Sequence, residues 1–91
     1  MSEPERWKRN AAVLWRAVLD DAVLLIPDQV EPLALSGGAA LWSLLEVPQA
    51  AEDLARTLGE RTGASRTDVE GALRALLARL VQLGAVDRLP P

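Results

Sequence analysis

The chain has no cysteine and no histidine among its 91 residues. Without cysteine there is no disulfide staple and no thiol chemistry, a composition that suits a cytoplasmic protein. Without histidine the commonest general base is gone, and with it the second of the two commonest transition-metal ligands. No metal site and no cofactor site is expected. Positive charge is also scarce: ten basic residues against thirteen acidic ones give a net charge of −3. Neutralising nucleic-acid phosphates needs a basic face, so no nucleic-acid partner is expected. The longest nearly unbroken apolar stretch, residues 33–45, is interrupted by Ser36-Gly37-Gly38 and is too short to span a bilayer. The N-terminal Ser2-Glu3-Pro4-Glu5 lacks the layout of a signal peptide. No membrane partner is expected either.

What the chain does have is leucine at helical spacing. Leu73, Leu76, Leu77, Leu80 and Leu83 follow Val69 at three-and-four intervals, which predicts a long helix over residues 67–84. Thr67 and Glu70 fit a capping box, and Gly84 stands where a helix is stopped. Gly71, Ala75 and Ala78 leave the back of that helix nearly bare. So wide an apolar and small surface is either deeply buried or leaves one flank free for a partner.

The preceding chain divides into short elements. Residues 1–10 form a flexible polar tail carrying Trp7, residues 11–86 the domain, and residues 87–91 a C-terminal tail, with a residual extended segment near Val86. Residues 12–19 read as a first strand and residues 23–26 as a second, apolar on both faces and so covered on both. Asp20-Asp21 turns between them. Pro32-Leu33-Ala34-Leu35 is a short third strand, placed at a sheet edge because its proline cannot donate to a ladder. Ser36 is the expected cap of a helix over residues 37–46, with Leu41, Trp42, Leu44 and Leu45 as its buried stripe. A further helix covers residues 50–62, with Glu52 and Asp53 at its positive end. Trp15 and Trp42 are expected in the core. The fold class is α+β: a three-stranded antiparallel sheet followed by three helices, a small winged-helix-like domain.

Residues 13–86 resemble the PqqD-like domains, also called RiPP recognition elements. The resemblance is carried by Val13-Leu14-Trp15-Arg16, the Asp-containing turn, the apolar run at 23–26, and Leu35-Ser36-Gly37-Gly38-Ala39-Ala40-Leu41-Trp42. Glu52-Asp53-Leu54-Ala55, Asp68-Val69 and the spacing of Leu80 to Gly84 extend it. It implies a binding module rather than an enzyme. Such domains hold the leader segment of a ribosomally made precursor peptide and present the rest to a modifying enzyme or leader peptidase, as in lasso-peptide or quinone-cofactor pathways. The leader adds as a strand beside the third strand and lies against the third helix. An exposed edge beside an apolar helix is independently the arrangement for strand addition. The expected peptide-binding residues are Pro32, Leu33, Ala34 and Leu35 on the strand, with Ala72, Leu76, Arg79, Leu80 and Leu83 on the helix and Arg74 as reserve on its opposite flank. Trp7 and the surface around Arg56 and Arg61 are candidate docking points for the enzyme. The rival readings are a winged-helix DNA-binding regulator, which would need more basic and amide side chains on its recognition helix, and a self-associating structural module.

Overall fold

The computed structural model describes residues 4–90, and for Thr62 the backbone alone. Along the chain run β1 (Arg6–Arg9), β2 (Leu14–Val18), β3 (Asp21–Leu25), β4 (Leu33–Leu35), α1 (Ala39–Leu44), β5 (Gln49–Ala50), α2 (Ala51–Thr62), α3 (Arg66–Gln82) and β6 (Val86–Leu89). The fold is a small α+β domain of three helices and two three-stranded antiparallel sheets, β2-β3-β4 and β5-β1-β6. The first sheet is the one expected from the sequence. In the second, β1 and β6 come from segments expected to be tails, and β5 takes in Ala50, expected to begin a helix.

That second sheet corrects the reading of both chain ends. Arg6–Arg9 is its central strand, and Trp7 is only 6% exposed within the hydrophobic core. The strand pairs with β6 so that Lys8 stands opposite Asp87, while Arg88 reaches Glu5 at 2.9 Å. Asn10 closes it: its side-chain oxygen accepts from the Ala12 N–H and its amide donates to Asp87. The parts of the expected tails at residues 1–3 and 91 lie outside the described residues.

In the β2-β3-β4 sheet, Ala22 and Leu24 point inward and are fully buried, with Leu35 beside them. The other face is open, which corrects the expectation that residues 23–26 are covered on both sides. Leu14 is 67% and Leu25 51% exposed, and the two stand opposite each other. Trp15, expected in the core, is instead exposed at 37%, with the Arg9 guanidinium 5.3 Å from its ring centroid. That cation–π contact supplies the cover a deeper site would have given. Leu19, in the connection between β2 and β3, has φ +58 and is almost wholly exposed, a conformation that costs a leucine about 1–2 kcal/mol. Trp42 is fully buried as expected, although its indole N–H has no partner among the described residues.

The helix caps differ from the sequence reading at two of three places. Ser36 does not cap α1; Gly38 occupies the cap position without a side-chain bond, and the Asp21 carboxylate instead accepts the Gly37 N–H at 2.7 Å. At Gly38 a Cβ would lie 2.5 Å from that of Leu35, so the chain needs glycine there. α3 is capped by Ser65, whose hydroxyl accepts from the Asp68 N–H at 3.2 Å, rather than by Thr67. The motif's three-residue spacing is kept, but starts two residues earlier. Gly84 does stop the helix: its φ is +82, its N–H reaches Val81 O, and the Ala85 N–H reaches Leu80 O. Those two bonds together define a Schellman ending.

The bare back of α3 faces solvent. Gly71 is exposed, and a Cβ added there meets nothing within 4 Å. Gly71→Ala is therefore expected to stabilise the domain by about 0.5–1 kcal/mol through helix propensity alone. Since 1 kcal/mol moves the midpoint of a domain this size by roughly 4–8 °C, a thermal melt followed by circular dichroism reads the effect directly.

Candidate functional site

β4 is an edge strand, paired among the described residues with β3 only. Which of its backbone groups are free follows from the hairpin before it. β2 and β3 are joined by two residues, Leu19 and Asp20, with Val18 opposite Asp21. In a two-residue hairpin the closing pair exchanges both hydrogen bonds, and bonded and unbonded pairs then alternate. Ala22 and Leu24 therefore direct their backbone groups away from β2, toward Leu35 and Leu33, their partners in β4. Leu33 and Leu35 face back toward β3, so the N–H and C=O of Ala34 point to the open edge. Pro32, next in the outward row, offers a carbonyl but no N–H.

Beyond that edge lies a groove of about 720 Å³. Its strand side is Leu33, Ala34 and Leu35, continued by the Ser36-Gly37-Gly38 turn. Its helix side is one stripe of α3: Val69, Ala72, Leu73, Leu76, Arg79 and Leu80. These recur at three-and-four spacing, so they share a face. Leu73 and Leu80 are buried and form the floor, Leu76 is half-buried, and Ala72 is exposed and leaves room above them. Ala40 and Leu41 of α1 and Leu58 and Arg61 of α2 complete the lining.

Of the residues expected from the sequence, the groove brings together Leu33, Ala34, Leu35, Ala72, Leu76, Arg79 and Leu80. Three others do not line it. Pro32 precedes β4 and is exposed, Leu83 is half-buried against the core, and Arg74 points elsewhere and pairs with Glu70 at 3.5 Å. Trp7 is buried and so presents no docking surface, while Arg56 is engaged by Asp53 at 3.1 Å. Arg61 belongs to the groove rather than to a separate face. The sequence carried a signal for it: Leu54, Leu58 and Arg61 stand at i, i+4 and i+7 of α2, running from core to rim.

The groove is thus apolar along its floor, open on one strand edge, and, among the described residues, charged only at Arg61 and Arg79. Neither arginine forms an ion pair with a described residue. No helix among the described residues is long and apolar enough to cross a membrane.

The chain is thus a small α+β domain with an open sheet edge beside a helix-walled apolar groove. The family model for coenzyme PQQ synthesis protein D (PqqD) matches residues 21–86, and the chain belongs to that family. Membership agrees with the resemblance to recognition elements and supports a peptide-related, accessory role in biosynthesis. No curated protein and no solved structure matches the chain significantly.

Proposed function

We propose that the domain binds the leader segment of a ribosomally made precursor peptide as an extra strand on β4, against α3, and delivers it to a modifying enzyme or leader peptidase of the same pathway. The pathway is of the quinone-cofactor or lasso-peptide kind, and the domain works in the cytoplasm without a cofactor of its own. One observation carries this reading: the free backbone of Ala34 opens onto the groove walled by α3. In strand addition the main chain supplies register and the pockets read alternate side chains.

The test is Ala34→Pro. Proline removes the one outward N–H of β4 while leaving the Leu33 and Leu35 ladder to β3 intact, and its fixed φ is tolerated on an edge. A labelled leader peptide, from the precursor encoded beside this gene, should bind wild type with micromolar or better affinity by fluorescence polarisation. The folded variant should lose about fivefold or more, since an unpaired peptide carbonyl costs roughly 1–3 kcal/mol. Undiminished binding by the folded variant would contradict strand addition.

The exposed Leu14 and Leu25 on the opposite face of the sheet favour a second reading, self-association. Sedimentation over a range of concentrations separates the two: a peptide-binding monomer keeps one sedimentation coefficient, and a self-associating module does not.

A further inference from the structure

The two arginines of the groove sit at its opposite ends. Arg61 lies in the last turn of α2. Gly59, two residues earlier, lies against Val69, whose side chain would be 4.0 Å from an added Cβ. Arg61 therefore belongs to the Val69 end of the α3 stripe. Arg79 is ten residues further along α3, and at 1.5 Å per residue that is about 15 Å away. Between them the lining is apolar, with Leu33 and Leu35 on one wall and Leu73 and Leu76 on the other.

No acidic side chain among the described residues lines the groove, although acids outnumber bases in the chain. Of the acids near it, Glu70 is held by Arg74 on the outer surface and Asp21 is engaged by the Gly37 N–H of the turn. Two unpaired cations at the mouths of an apolar trough leave a defined charge for a ligand to match.

An extended strand advances about 3.3 Å per residue, so roughly 15 Å corresponds to between four and five residues. Side chains alternate across a strand, and only those on the side of Leu33 and Leu35 enter the groove. Two residues that both enter must be an even number apart. We infer that the groove selects a segment carrying two carboxylate side chains about four residues apart, with an apolar side chain midway between them. The outer carboxylates meet Arg61 and Arg79, and the central residue fills the space above Leu73 and Leu76. This rests on the strand-addition reading above and adds the chemistry of the ligand to it.

The experiment is a display selection of short random linear peptides on the full chain, on an Arg61→Gln, Arg79→Gln double variant, and on Ala34→Pro, each checked for folding by circular dichroism. Peptides selected by wild type should be enriched in Asp or Glu at two positions with that spacing around an apolar residue. The double variant should lose the acidic enrichment and keep the apolar one. A synthetic peptide from the pool should bind about two- to fivefold more weakly for each arginine removed, the range of an exposed ion pair, and more weakly as salt rises. Arg79→Glu should recover binding when the facing peptide acid is changed to lysine. Selected peptides that lose binding to Ala34→Pro yet show no acidic enrichment would overturn the charge inference and leave strand addition standing. Peptides that bind Ala34→Pro as well as wild type would overturn strand addition itself. A selection that yields no binder to the folded wild type would overturn both.

Discussion

Trp7→Ala is expected to cost about 3–5 kcal/mol, the range for emptying a buried tryptophan site. Trp7 is 6% exposed and belongs to the one continuous core, on the central strand of the β5-β1-β6 sheet. A domain of this size has roughly 5–14 kcal/mol of stability in total. The midpoint of a thermal melt should fall by about 12 °C or more at 4–8 °C per kcal/mol. Trimming the chain to residues 11–86 should do more damage still. It removes β1 altogether and β6 except for Val86, leaving β5 without a partner strand and the Val86 backbone unpaired. That shortened chain should lose its cooperative transition, whereas Lys8→Ala, on the exposed face of the same strand, should melt within a few degrees of wild type. A trimmed chain melting as wild type does would mean that this sheet contributes nothing to the fold.

Ala72→Trp is expected to abolish peptide capture with little change in stability. Ala72 is exposed and lies in the α3 wall of the groove, so a tryptophan there fills the trough rather than the core. Binding of the leader peptide should weaken on the order of a hundredfold, equivalent to about 2.8 kcal/mol, while the melting midpoint moves by only a few degrees. Ala78→Trp, exposed on α3 and outside the groove lining, is the matched control and should bind within about twofold of wild type, as expected for a surface change outside the interface. Leu33→Glu also lines the groove but reads less cleanly. Leu33 packs against the core, so a carboxylate there destabilises the fold as well as the site.

Apart from the two-residue β5, the order of elements from β2 to α3 was legible in the sequence because each carried an apolar pattern or a breaker that marked it. The α3 leucines declared a helix by their spacing, and Pro32 declared an edge strand by the donor it lacks. β1 carried no such signal. Arg-Trp-Lys-Arg holds a single apolar side chain, and one residue shows no alternation. β6 has the same weakness, with only Val86 buried. Their pairing joins residues nearly the whole chain apart, which local pattern does not record. The groove was legible in outline for a related reason. Strand edge and helix face were each marked, so seven of the expected residues meet there. Arg74 and Leu83 fell outside because the width of the α3 apolar surface left its rotation open; packing against α2 fixes it. Arg61 was read as outer surface because its place depends on α2 crossing beside Val69, a tertiary fact.

The central claim is that a peptide becomes the next strand beyond β4. Amide hydrogen exchange followed by NMR on the wild-type domain, with and without saturating leader peptide, tests it at the atom concerned. The Ala34 N–H, on an open edge, should exchange quickly in the free domain and become protected in the complex. Chemical-shift changes should be confined to β4, the Ser36-Gly37-Gly38 turn and the Val69–Leu80 face of α3. An Ala34 amide that stays unprotected at saturation, with protection appearing along β2 instead, would contradict the account.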